Sequence, residues 1–184
     1  LADDFITGFS MDFVEIGDAG NAADNTGYGS VGYDYRMSKY EVSEAMIGAY
    51  NANSGGPLIT LDSRGANRPA TAVSWDEAAR FVNWLNTSSG YSAAYNFTTG
   101  GGNDNITLWS VGDAGYDPAN PFRNSNAYYF LPSEDEWYKA AYYDPNANGG
   151  TGSYWDYATG SDTAPTAVTG GTSGAVYGQS LATG

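Results

Sequence analysis

The chain has 184 residues, the length of one domain, and its 41% hydrophobic content with 5 Trp, 16 Tyr and 7 Phe supplies a sizeable core and argues against disorder. Seven basic against 21 acidic residues leave a formal net charge of −14, a surface that repels nucleic acid and anionic membranes. The sequence has no Cys and no His, which excludes thiol nucleophiles, imidazole bases, Cys-bound zinc or iron and His-anchored iron within this chain.

Residues Phe5, Phe9, Met11, Phe13, Val14 and Ile16 alternate loosely, and Met11–Ile16 reads as a strand. A Gly-, Asn- and Asp-rich loop follows, with Asp18, Asn21 and Asp24 as an oxygen-rich set. A second strand pattern covers Val31 to Tyr40, with Tyr33, Tyr35 and Met37 on one face. Ser43 caps a helix over Glu44–Asn51, whose packed side is assigned to Ala45, Met46, Ala49 and Tyr50. Leu58 to Leu61 is a short apolar piece, and Ala70–Val73 is an extended lead-in to a helix at Trp75–Asn86.

That second helix opens on a capping box, Ser74 with Glu77, and carries Ala78, Phe81, Val82 and Leu85 as its apolar stripe. Residues 87–126 read as a hairpin and loop insertion, with strands Tyr95–Thr99 and Ile106–Ser110 joined through Gly100 to Asn105. Tyr128–Leu131 is predicted as a strand feeding a third helix. Ser133 and Glu136 form that helix's capping box, and Trp137, Ala140 and Ala141 its apolar face. Asp144-Pro145 stops it. From Gly160 to Gly184 the chain is a Gly-, Thr- and Ser-rich tail with only Val168, Ala175, Val176, Tyr177 and Leu181 to pack. The start at Leu1 without Met suits a processed export precursor or a cut chain. No run of about 20 apolar residues is present to span a membrane.

Three ordered motifs carry a family resemblance. They are Tyr35-Arg36-Met37-Ser38-Lys39-Tyr40-Glu41-Val42-Ser43, then Arg68-Pro69 with Val73-Ser74-Trp75-Asp76-Glu77-Ala78, then Phe130-Leu131-Pro132-Ser133-Glu134-Asp135-Glu136-Trp137. Together they resemble the formylglycine-generating-enzyme-like, or sulfatase-modifying-factor, domain family. The wording of the third motif is especially similar to members found in secreted bacterial proteins with a C-terminal sorting signal. The resemblance implies an α+β, C-type-lectin-like fold of short capped helices, irregular antiparallel strands and long loops. Two later family motifs, Gly-Asn-Val-Trp-Glu-Trp and Arg-Gly-Gly-Ser-Trp, are absent from this sequence. The resemblance therefore implies that only the N-terminal part of the domain is present, truncated at the C-terminus and completed by a further stretch or a complementary chain.

Enzymes of the family use paired cysteines with copper, and related sulfoxide-forming enzymes a histidine-based iron site. Neither transfers to this chain, so no catalytic residue is assigned and no copper, iron or zinc is expected. Glu77 and Glu136 are explained as helix caps rather than as an acid/base pair. Trp75, Trp84 and Trp137 are read as core. Asp144, Asn146 and Asn148 place oxygens at alternate positions as a calcium loop begins, but Trp155 stands where the loop's Glu belongs, with Asp156 beside it as a substitute. Structural calcium is the cofactor expectation. Asn86, Asn96 and Asn105 match the glycosylation pattern.

The leading expectation is a non-catalytic, secreted bacterial scaffold at the cell surface or beyond it, lectin-like, that self-associates or contacts polysaccharide. Tyr142, Tyr143, Tyr154, Trp155 and Tyr157 are its candidate binding surface. Alternatives are the N-terminal part of a metal-dependent oxidase or maturation enzyme whose catalytic half lies elsewhere, or a carbohydrate-binding module of a larger protein.

Overall fold

The computed structural model describes residues 4–6, 8–98 and 106–166. The Gly100–Asn105 turn and the packing positions Val168, Ala175, Val176, Tyr177 and Leu181 lie outside the described residues. The fold is α+β. Short helices and two-stranded sheets are separated by long loops, and the pairs whose register is defined are antiparallel. Strands β1 (Asp4–Ile6) and β2 (Phe9–Met11) pair with each other, as do β3 (Phe13–Ile16) and β4 (Tyr35–Ser38). Strands β5 (Asn96–Phe97) and β6 (Ile106–Thr107) form a third pair, and β7 (Tyr143–Asp144) and β8 (Ser153–Tyr154) a fourth. The helices are α1 (Glu44–Asn53), α2 (Trp75–Ser88), α3 (Glu134–Tyr142) and a single turn, α4 (Ala147–Gly150).

The chain divides into two compact units. Unit 1 comprises residues 1–14 and 38–131, and unit 2 comprises 15–37 and 132–184.

Unit 1 holds the hydrophobic core. Met11, Ile47, Tyr50, Ile59, Phe81, Trp84, Leu85 and Tyr95 are buried together. Helix α2 supplies most of it because Phe81, Val82, Trp84 and Leu85 share one face, with fully buried Ala79 one turn earlier rather than Ala78. The rings of Tyr50 and Trp84 meet edge to face at 5.7 Å, a favoured aromatic geometry. On α1 the buried residues are Glu44, Ile47 and Tyr50, whereas Ala45 is exposed. The α1 face read from the sequence is thus corrected. Glu44 turns inward because its carboxylate accepts the backbone N–H groups of Arg64 at 2.8 Å and Gly65 at 2.9 Å, which would otherwise lack partners in a structureless loop.

Asparagines hold the rest of unit 1. Asn51 exchanges two 2.8 Å bonds with the backbone of Ile59, fixing the 58–61 segment against α1 without a strand. Asn83 accepts from the N–H groups of Ala94 and Tyr95 and donates to the Tyr95 carbonyl. Residues 128–131, predicted as a strand, form none. The Asn86 side chain takes the place of a neighbouring strand there, accepting from the N–H groups of Tyr128 and Tyr129 and donating to the Tyr129 carbonyl. Asn86 is completely buried and fully engaged, which removes it as a glycosylation acceptor.

Candidate functional site

Unit 2 is built around α3, the β7–β8 pair and the loop between β3 and β4. Both capping boxes seen in the sequence are formed. Ser133 Oγ accepts from the Glu136 N–H at 3.2 Å, and Glu136 Oε2 accepts from the Ser133 N–H at 2.6 Å. The equivalent bonds join Ser74 and Glu77 in α2, and Ser43 caps α1 through the Met46 N–H.

The face that α3 buries is not the one its apolar residues suggest. Glu136 and Lys139, at 0% and 1% exposure, point inward, while Trp137 is 52% exposed. Trp75, also expected in the core, is 51% exposed, and of the three only Trp84 is buried. The reason lies in what packs on α3. The long loop after β3 carries few apolar side chains, and polar atoms of α3 hold it. Lys139 Nζ donates to the Asp18 carbonyl at 2.9 Å, and the Asp135 carboxylate accepts the Gly29 N–H at 2.8 Å. Burial lowers the Lys139 pKa, opposed by the charges of Asp18 and Asp34.

Tyrosine hydroxyls complete the fastening. Tyr33 donates to Glu136 Oε1 at 2.6 Å, Tyr138 to Asp24 Oδ2 at 2.6 Å, Tyr143 to the Asp18 carboxylate, and Tyr35 to the Glu136 carbonyl. The Tyr154 phenol oxygen lies 2.6 Å from Asn21 Nδ2 and 2.8 Å from the Gly29 carbonyl. Two of the phenols that donate to carboxylates, Tyr138 and Tyr143, resist ionisation. The bond to Asp18, with burial second, pushes Tyr143 up to about 12, and the bond to Asp24 raises Tyr138. The Tyr138 hydroxyl in turn holds Asp24 below the usual carboxylate range. Burial is the main reason Tyr154 rises to about 12, and burial followed by the Glu136 charge raises Tyr35.

The same tyrosines make a row of rings. Tyr28 lies 5.9 Å from Tyr138, Tyr138 lies 4.8 Å from Tyr142, and Tyr142 lies 5.9 Å from Trp137. Tyr154 touches Tyr138 at 5.7 Å and Tyr143 at 4.9 Å. The α3 register produces this arrangement, since positions 138 and 142 are one turn apart on one face. Of the sequence-derived surface residues, Tyr142, Tyr143 and Tyr154 join the cluster. Trp155 continues β8 through a backbone bond to the Tyr142 carbonyl, and Tyr157 bridges to Ser161. Sequence reasoning missed Tyr28, Tyr138 and the exposed position of Trp137. The Tyr138/Tyr142 spacing was the available signal.

Of the residues with calcium-loop spacing, Asp144 accepts the Asn146 N–H at 2.9 Å as a turn does, and Asn148 donates to the Gly152 carbonyl at 3.5 Å. The Asp156 N–H bonds the Asp162 carboxylate at 3.1 Å. Among the described residues, no group of three or more acidic side chains comes together that could hold a metal ion. No described helix is long and apolar enough to cross a membrane.

The described residues define an α+β domain of short helices and two-stranded sheets separated by loops. The chain belongs to the sulfatase-modifying factor enzyme 1-like domain family, whose match runs over residues 4–175. That span corrects the expectation that only the N-terminal part of the domain is present, because the match takes in nearly the whole chain. No match was found among curated proteins or among solved structures.

Proposed function

We propose that this chain is a non-catalytic, extracellular, lectin-like scaffold that binds polysaccharide through the aromatic row of unit 2. The observation that carries this reading is the continuous set Tyr28, Tyr138, Tyr142 and Trp137, whose two ends are 42% and 52% exposed. Large exposed aromatic groups in contact with one another are costly to leave wet and suit a binding surface. Pyranose rings present a C–H face that lies flat against an aromatic ring, and Tyr and Trp lose little side-chain entropy when they are held. In this row, helix and loop contacts already hold the rings, so binding orders little. The nearby carboxylates of Glu136, Asp24 and Asp18 accept hydrogen bonds from phenols or backbone, an arrangement suited to rigidity rather than proton transfer. A C-type-lectin-like fold and a secreted bacterial setting belong to the same reading.

The test is retardation of the protein in native gels containing neutral polysaccharides of different linkage. Trp137→Ala and Tyr28→Ala are expected to weaken retardation about tenfold or more, with unchanged unfolding midpoints, by losing aromatic contact area. Equal retardation of wild type and both variants across all polysaccharides would sink the proposal.

A further inference from the structure

We propose that Tyr91 and Tyr128, in unit 1, form an oxidative coupling site at which a one-electron oxidant, such as a haem peroxidase with hydrogen peroxide, joins the two rings into an intrachain dityrosine. Their centroids are 4.5 Å apart and their planes 14° from parallel, and both residues are open to solvent at 44% and 43% exposure. Near-parallel rings at this separation have carbons in van der Waals reach of each other, about 3.5–4 Å. The pair is positioned by a single residue. The Tyr91 N–H donates to the Asn86 carbonyl at 2.8 Å, and the Tyr128 N–H donates to Asn86 Oδ1 at 3.0 Å. Both backbones thus start from one completely buried asparagine, and the rings meet without a search.

Other close tyrosine pairs are less suited. Tyr138 and Tyr142 are tilted by 45°, Tyr143 and Tyr154 by 57°, and Tyr128 meets buried Tyr129 at 85°.

The chemistry balances as follows. Each phenol loses one electron and its hydroxyl proton, giving a phenoxyl radical with spin density on the carbons ortho to oxygen. The two radicals form one carbon–carbon bond between ortho positions. Each of those carbons then releases its hydrogen as a proton while its oxygen takes one up, restoring two phenols. The net loss is two electrons and two protons, which reduce one hydrogen peroxide to two waters. The bridge closes the chain between positions 91 and 128, a covalent staple in a protein with no cysteine.

The experiment treats the full folded chain with peroxidase and limiting hydrogen peroxide, then maps cross-linked peptides by mass spectrometry. The expected main product is a monomer lighter by two hydrogens, with a 91–128 linkage about tenfold over any other pair, the advantage of prior alignment. Tyr91→Phe and Tyr128→Phe are each expected to lose that linkage, Tyr143→Phe to keep it, and the urea-unfolded wild-type chain to lose the preference. Linkages spread evenly over other tyrosines, or formed only between chains, would overturn the proposal. So would an unchanged 91–128 preference in urea, which needs no further variant to fold.

Discussion

Asn86 and Tyr129 are paired as two strands would pair. The Asn86 carboxamide donates to the Tyr129 carbonyl at 2.8 Å and accepts the Tyr129 N–H at 2.9 Å, although the two residues are 43 positions apart in the chain. One buried side chain therefore satisfies both backbone groups of a buried residue. Replacing it with Ala leaves those groups without partners, and each unsatisfied buried group costs about 1–3 kcal/mol. Asn86→Ala is expected to destabilise the protein by roughly 3 kcal/mol or more, read as a lower urea midpoint. Asn86→Asp keeps the acceptor but loses the donor and sets a carboxylate at a completely buried position, so it is expected to lower the midpoint as well. A variant of either kind with the wild-type midpoint would contradict this role.

That pairing also explains what the sequence reveals and what it hides. Capping boxes are local, so Ser74 with Glu77 and Ser133 with Glu136 are legible in four residues. The apolar stripe of α2 is legible because an apolar core covers it. Residues 128–131 look like a strand because their aromatic composition is right, but nothing local says that their hydrogen bonds go to an asparagine on a distant helix. The inner face of α3 is misread for a related reason. Periodicity assumes that the apolar side is covered, whereas a polar loop packs on this helix and recruits Glu136 and Lys139, leaving Trp137 outward. The aromatic row at the candidate site follows from that reversal, so it was out of reach of a hydrophobicity argument.

The phenols that fasten the unit 2 loop predict an alkaline transition. Tyr143 and Tyr154 are both raised to about 12 from the ordinary value of 10.0. A raised folded-state value means that the protonated phenol is favoured by folding. The stabilisation is complete below pH 10 and is lost as pH rises toward 12 and beyond. Spectrophotometric titration of phenolate is expected to show a late-ionising class of tyrosines in the native chain, joining the early class in urea. Tyr143→Phe is expected to remove one phenol from the late class. Identical native and denatured titrations would contradict the assignment.

Two glycines of the same loop separate backbone strain from contact. Gly27 and Gly29 both have φ near +90°, a conformation that L side chains rarely adopt. A Cβ on Gly27 meets nothing within 4 Å, whereas one on Gly29 would lie 2.6 Å from the Tyr154 hydroxyl oxygen. Gly27→Ala is expected to cost about 1–2 kcal/mol from conformation alone. Gly29→Ala should cost clearly more, since Tyr154 must also leave Asn21 and the Gly29 carbonyl. Equal unfolding midpoints for the two variants would show that the Tyr154 contact is not a constraint.

Glu77 and Glu136 occupy the same position in the same motif and are expected to behave differently. Each accepts the N–H of its capping serine, at 2.8 Å and 2.6 Å. Glu77 stays partly open to water, which can replace the lost bond, so Glu77→Ala is expected to cost about 1 kcal/mol, the ordinary value of a cap. Glu136 is completely buried, and its second oxygen accepts the Tyr33 hydroxyl at 2.6 Å. Removing it takes away the partner of the Ser133 N–H and of the Tyr33 hydroxyl and empties the space of a completely buried side chain. Glu136→Ala is therefore expected to cost more, about 2–3 kcal/mol, since two bonds to a completely buried carboxylate are lost together. Urea unfolding of the two variants in parallel measures the difference, and the carboxylate with the larger loss is the one that joins α3 to its loop. Equal losses would mean that the cap alone accounts for both residues and that the bond to Tyr33 contributes nothing to stability.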